Sequence, residues 1–334
     1  MIIMRDTILI APDKFKGTLS ATEVTDIIAD TLREHTDLNL LRCPMADGGE
    51  GTPHILCGHK VIVSHDHIGL QCFGSTPVMQ RSSHRLGEAV RQELTTGNPF
   101  YLGIGGTATV DGGAGLLQAL GAAFYNAAGN IIRERITPAM LPAVSRIDLP
   151  YNLSTFLAGR ATLLYDVAAT LHGPGLSSLD FARQKGATAD DIPVICAGLV
   201  NLERLLQPVR HAPCDGAGGG VGFALGAIAG ADAEQGALAI LRSKEIDWQR
   251  IALVVSGEGR IDRQTAGGKV PQLLRREAEK RGIPFVGIGG YVTPDAAESC
   301  YISTIDDTRD FDPLAAPSRL RSALHKYFAS HQKP

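Results

Sequence analysis

Apolar residues in this chain come in two rhythms. Short unbroken runs, such as 7-TILIAP-12, 39-NLLRCP-44, 99-PFYLGI-104, 160-RATLLYDV-167, 251-IALVVSG-257 and 284-PFVGIGG-290, read as strands buried on both faces. Residues 302–305 read as a further strand. Between the runs, apolar positions recur every three or four residues. Val24, Ile27, Ile28 and Leu32 form one such stripe, and Ser20 with Glu23 three residues on is a capping box that starts the helix. Helices are also predicted at LLQALG, over 271–282 and over 318–331, and 218-GGGVGFALGAIAGA-231 reads as a buried helix too short to span a bilayer.

This β-loop-α alternation predicts an α/β protein with a parallel or mixed sheet covered by helices. Residues 57–98 are less regular and more polar, and residues 168–244 read mostly as helix and loop. The expected organisation is therefore a discontinuous domain, 1–56 with 245–334, and an inserted α/β domain, 57–244.

Composition narrows the function. The 334 residues carry a net charge of −3 and no Lys/Arg run, which argues against nucleic-acid or membrane binding by bulk charge. Six cysteines without a C-x-x-C fit reduced thiols, and the N-terminus lacks a signal-peptide pattern, so a cytoplasmic protein is expected. The 38 glycines are clustered, and each cluster follows a predicted strand, where α/β sheets bind ligands.

These loops carry candidate chemistry. In 44-PMADGGEGT-52, Asp47 and Glu50 stand among glycines. In 103-GIGGTATVDGGAG-115, glycines, two threonines and a helix start offer an anion site, with Asp111 readable instead as a cap. The loop 256-SGEGRIDRQTAGGKVP-271 fails as a P-loop, because Val270 stands where Ser/Thr would hold Mg²⁺ and the glycine spacing is wrong. Its Glu258 and Asp262 suit metal or proton work, and Arg260 and Lys269 suit phosphate oxygens. The first crossover, 11-APDKFKGTLS-20, supplies Asp13, Lys14 and Lys16, while 166-DVAATLHGPG-175 and 184-QKGAT-188 supply Asp166 and Lys185. Carboxylates for Mg²⁺ or a base, with cations for phosphates, are what phosphoryl transfer needs. A dinucleotide fingerprint at the first turn and a G-x-S-x-G elbow are both missing from the sequence.

In this order, APDKFKGTLSA, PMADGGEGT, GIGGTATVDGGAG, QKGAT and SGEGRIDRQTAGGKVP resemble the signature segments of the class I glycerate kinases. The resemblance covers nearly the whole chain. It implies ATP- and Mg²⁺-dependent phosphorylation of D-glycerate, generally to 2-phosphoglycerate. It also implies two different α/β domains, one Rossmann-like and discontinuous, with the active site in the cleft between them. A small-molecule enzyme, monomeric or homodimeric, is expected.

With that resemblance, roles can be set out as expectations. Asp47 or Asp166 is the base for the glycerate hydroxyl. Lys14, Lys16 and Lys269 neutralise the phosphoryl group and the acid's carboxylate. Gly105, Gly106, Thr107, Thr109, Asp111, Gly112, Gly113, Gly257 and Gly259 receive nucleotide phosphates. Gly48, Gly49, Glu50, Arg85 and Lys185 face the acid, and Glu50, Glu258 or Asp262 serves Mg²⁺.

The chain also departs from the family pattern. Only 81-RSSHRLG-87 stands where a longer segment with a T-T-x-G-x-G turn is usual, and Arg85 replaces its first glycine. Ala169-Thr170 replaces an Asn-Pro, and Asp215 in 214-CDGAGGG-220 adds an unexplained charge. Two readings follow: an active acid kinase, or a catalytically impaired relative that binds nucleotide or hydroxy acid.

Overall fold

The computed structural model describes residues 5–262, 269–308 and 312–330. Along the chain run β1 (Thr7–Ile10), α1 (Ala21–Arg33), β2 (Asn39–Arg42), β3 (Ile55–Leu56), β4 (His59–Val63), α2 (Ser64–Ile68), α3 (His84–Leu94), β5 (Phe100–Gly103) and α4 (Ala114–Ala119). Then come β6 (Ala123–Tyr125), β7 (Arg146–Asp148), α5 (Leu153–Phe156), β8 (Ala161–Tyr165), α6 (Ser178–Ala182), α7 (Asp191–Leu206), β9 (Asp232–Gln235) and α8 (Gly236–Arg242). The last elements are β10 (Ile251–Ile261), α9 (Val270–Glu279), β11 (Phe285–Val292), β12 (Tyr301–Ile305) and α10 (Ala316–Ser330).

The chain forms two compact units, residues 1–47 with 237–334, and residues 48–236. These breaks fall earlier than the expected 56/57 and 244/245. The reason is local: β3 and β4 pair into the sheet of the second unit through β5, and the Cβ position of Gly48 is 2.5 Å from the Leu164 carbonyl of β8.

The first unit is a five-stranded sheet in the order β12-β11-β10-β1-β2, with every pair parallel. Numbered within the unit, the order is 2-1-3-4-5, a doubly wound arrangement whose direction of winding reverses between β1 and β10. Ile8, Ile10 and Val255 of the sheet pack with Val24, Ile28 and Leu32 of α1 and with Leu320 and Leu324 of α10. The capping box holds as expected, with Glu23 N donating to Ser20 Oγ and Ser20 N to a Glu23 carboxylate oxygen.

The second unit is mixed, in the order β3-β4-β5-β8-β9, with β3 antiparallel and the rest parallel, plus the antiparallel pair β6-β7. Its core joins the sheet to α3, α4, α7 and the buried helical turns at 221–228, most of which are π-helical. Segment 57–98, expected to be less regular, holds the strand β4 and the helices α2 and α3. Leu86 and Val90 of α3 are buried, and a Cβ on Gly87 would stand 2.6 Å from the Leu116 carbonyl, so α3 lies directly on α4.

Strand β10 also differs from expectation. It does not stop at Gly257 but pairs with β11 through Ile261, which places Glu258 within a strand. The glycines that signal a loop mark close backbone approach here. A Cβ on Gly257 would lie 2.5 Å from the Ile288 carbonyl, and one on Gly290 would lie 2.4 Å from that of Gly259.

Candidate functional site

In the first unit, the expected residues gather where the winding reverses. Past β1 the chain keeps its ladder with β10, since Ala11 N donates to the Val255 carbonyl and Asp13 N to that of Gly257. Past β2 it keeps its ladder with β1, since Cys43 N donates to Ile10 and Met45 N to Pro12. These extensions bring Asp13, Asp47 and Glu258 to one end of the sheet, the end at which doubly wound folds bind ligands.

The three carboxylates share two lysines. Lys14 Nζ lies 3.8 Å from Asp13 Oδ1 and 3.7 Å from Asp47 Oδ1. Lys14 N donates to Asp13 Oδ1 at 2.7 Å. Lys269, the residue before α9, places its Nζ 3.3 Å from Glu258 Oε2. Asp13 is only 7% exposed. Burial, and then the neighbouring Asp47 charge, push its carboxyl up to about 7, against the pull of Lys14. A buried carboxyl that titrates near neutrality beside a half-exposed lysine can accept a proton at physiological pH.

Other expected residues of this unit surround the cluster less closely. Lys16 is exposed in the turn closed by the Phe15–Leu19 bridge. A Cβ on Gly259 would stand 3.0 Å from Lys16 N, so β10 runs tight against that turn. Asp262 pairs with Arg260 at 3.1 Å. Residues 263–268 of the same motif lie outside the described residues.

In the second unit, the glycine-rich loop after β5 is held by the protein itself. Asp111 is fully buried. Its Oδ2 accepts from Ser83 N, Ser83 Oγ and Gly115 N, and its Oδ1 accepts from Gly113 N. Burial raises its pKa, and these four donors pull it back. The expected phosphate role therefore does not fit Asp111, which is enclosed and already satisfied. Gly112 and Gly113 likewise do not present backbone to a ligand, because their open faces meet Leu202 and Ala224, each 2.4 Å from a Cβ position. Both have left-handed φ values, 65° and 73°, which hold off the start of α4 until Ala114.

The same holds for Gly48 and Gly49 and their partners. A Cβ on Gly103 would meet the Gly48 carbonyl at 2.3 Å, and one on Gly105 would meet Gly49 Cα at 2.9 Å. The bare backbone of Gly48 and Gly49 thus packs against the bare backbone of Gly103 and Gly105. Gly106, by contrast, is exposed. Beside it, Lys185 Nζ donates to Thr107 Oγ1 at 3.0 Å and to the Thr109 carbonyl at 2.9 Å.

Three further expected residues belong to this unit. Asp166 is half-buried directly after β8, Glu50 is exposed in its turn, and Arg85 is exposed in the first turn of α3. Asp215 finds its explanation here. It is buried, 2.7 Å from His211 Nδ1, and accepts from Ala212 N, so it ties its own turn together. Sequence reasoning gave no role to Asp13 or Arg81. Asp13 is among the candidates of the first crossover, and its place as the acid closest to the end of β1 is the signal that could have singled it out. Arg81 binds only main-chain carbonyls, which leave no pattern in a sequence.

Known proteins share this arrangement along most of the chain. A sequence profile described as the Glycerate kinase family matches residues 8–66 and 58–327. The chain is 32% identical to a glycerate 2-kinase of Escherichia coli (strain K12) over 332 residues, covering 86% of each protein. It is 29% identical to a glycerate kinase of Bacillus subtilis (strain 168), covering 93% of this chain and 91% of that one. A crystal structure of a candidate glycerate kinase 2 from Salmonella typhimurium LT2 superposes with a TM-score of 0.68 at 29% identity over 97% of both chains. With the profile spanning most of its length, the chain belongs to the glycerate kinase family of enzymes.

Proposed function

We propose that this enzyme transfers the terminal phosphoryl group of ATP to the 2-hydroxyl of D-glycerate, giving 2-phosphoglycerate and ADP. The observation that carries the reading is the Asp13–Lys14–Asp47 cluster at the reversal point of the first unit's sheet, with Glu258 and Lys269 at the same strand ends. Asp13, buried and raised to about 7, is the base that takes the hydroxyl proton as the oxygen attacks phosphorus. Asp47 keeps Lys14 in place, and Lys14 faces the charge of the transferred group. Lys269 adds a second cation at the start of α9, where anions are favoured.

The donor set also fits Mg²⁺. The carboxylates are hard oxygen donors, and no three His, Cys, Asp or Glu groups among the described residues converge into an all-protein cage. Mg²⁺ takes one or two carboxylates and completes its shell with water and phosphate oxygens. Glu258 would hold it, and the ion would supply neutralisation of phosphate charge. In the second unit, Gly106, Thr107 and Lys185 form the group that receives an oxyanion.

The test is ADP release from Mg-ATP by the purified protein. D-Glycerate should support turnover and glycerol should not, because a site with a cation for the carboxylate rejects the uncharged analogue. Phosphorus NMR of the product should give the 2-phosphate. Equal turnover of glycerol, or 3-phosphoglycerate as sole product, would overturn the corresponding part of the reading.

A further inference from the structure

Arg81 lies in the second unit just ahead of α3 and is 7% exposed. Its Nε donates to the Thr76 carbonyl at 2.8 Å. Its Nη1 donates to the Lys185 carbonyl at 2.8 Å and to the Ala108 carbonyl at 3.3 Å. Its guanidinium carbon lies 5.7 Å from the centre of the Phe73 ring. Among the described residues no carboxylate pairs with it, and burial lowers its pKa with no acid acting against that shift.

A buried cation without a counter-anion is expensive to keep. Its three acceptors are neutral carbonyls from three separate segments. Two of those carbonyls belong to the backbone that carries the Lys185 ammonium and the residue after Thr107. Lys185 Nζ donates into the Thr107 oxygen, so the hydroxyl proton of Thr107 is left to point elsewhere. The two side chains together present protons and positive charge, the pattern that receives an oxyanion.

We propose that Arg81 is a positioning residue for substrate recognition: by clamping the Ala108 and Lys185 carbonyls, it holds the Lys185 ammonium and the Thr107 hydroxyl as one surface for the carboxylate of the acid substrate. This rests on the acid-kinase reading above. The guanidinium does not touch the substrate. It fixes the backbone beneath the groups that do, and its uncompensated charge favours an anion there.

The test compares Arg81→Lys and Arg81→Gln with the wild type in the full chain, with melting temperature measured for each. KM for D-glycerate should rise about ten- to a hundredfold, the scale of charge-assisted hydrogen bonds, with KM for ATP changed by less than about twofold. In Arg81→Ala, guanidinium ion at tens of millimolar should restore KM for glycerate, and KCl at the same strength should not. A rise confined to KM for ATP would transfer the surface to a phosphate and overturn the carboxylate assignment. Equal changes in both KM values, or none, would overturn the positioning role.

A second arm needs no turnover. Acetylation of Lys185 by an N-hydroxysuccinimide ester, followed by peptide mass spectrometry, should be faster in Arg81→Lys than in the wild type. An unchanged rate overturns the proposal even in an active enzyme. A wild type that fails to phosphorylate glycerate while its Lys185 is released by the substitution would sink the acid-kinase reading and leave the clamp standing.

Discussion

Lys14 Nζ, in the loop after β1, stands 3.7 Å from Asp47 Oδ1, in the loop after β2, and each side chain is 18% exposed. A pair at this distance that still reaches water adds little to stability, about 0–1 kcal/mol. Its value lies in aiming the ammonium. Asp47→Asn should therefore lower kcat/KM by roughly tenfold or more, the effect of letting a charged group drift from its productive position, with Tm shifted only slightly. Steady-state kinetics and a thermal melt on the same preparation check both halves. Unchanged turnover would return Asp47 to a purely structural role.

Asp13 gives a prediction with two signs. Its folded pKa lies above its ordinary value of 3.8, at about 7. Between those two values the folded state binds the extra proton, so the Asp13 contribution to stability falls as pH climbs through that window. Above pH 7 the full cost of the buried charge is present. Asp13→Asn removes the cost and should raise Tm at pH 8 by a few degrees, more than at pH 5. The same substitution should cut kcat by about 100-fold or more, and wild-type kcat should rise with pH through about 7. A variant that is inactive and less stable at pH 8 would contradict the burial argument.

The glycines of the second unit separate packing from binding. Gly112→Ala drives a Cβ to 2.4 Å from Leu202 Cδ2 at a φ of 65°. It should cost about 1–3 kcal/mol or more. KM values for any protein that remains folded should be near those of the wild type. Denaturant unfolding measures the first and kinetics the second. A large rise in KM for ATP with normal stability would restore the phosphate role.

Arg85 is exposed in the first turn of α3. Substitutions at such positions usually stay within about ±0.5 kcal/mol. Arg85→Ala should leave stability and KM for glycerate unchanged, in contrast to the neighbouring Arg81. A selective rise in KM for glycerate in Arg85→Ala would put the clamp in the wrong place.

Much of the fold was legible because buried parallel strands appear as apolar runs: β1, β5 and β8 lie within the runs expected, and β11 outruns its own only by Tyr291 and Val292. The cap of α1 was legible because its two partners are three residues apart. The full length of β10 was not, because Gly257 and Gly259 look the same whether a ligand or another strand stands beside them. A glycine records that something approaches closely, not what it is. Asp111 misled for a related reason. An acid in a glycine loop suggests solvent or phosphate, and only the fold shows four donors of the chain enclosing it. Asp13 gains its character first from burial and then from the charge of Asp47, and both depend on segments far from it in sequence.

The pairing of β1 with β10 has a consequence for how the protein is made. Thr7 meets Ile251 and Ile10 meets Val255, so the central pair of the first sheet joins residues some 240 positions apart. A chain emerging from the ribosome presents β1 and β2 long before β10 exists. The continuous stretch 48–236 contains every strand of its own sheets and can fold as a unit during synthesis. Until β10 arrives, β1 offers one unpaired edge of buried apolar residues, a template for pairing with another nascent chain. Heterologous expression should therefore gain soluble yield from slower translation or lower temperature. Truncation before residue 251 should leave the inserted unit folded and residues 5–47 as the segment bound by chaperones.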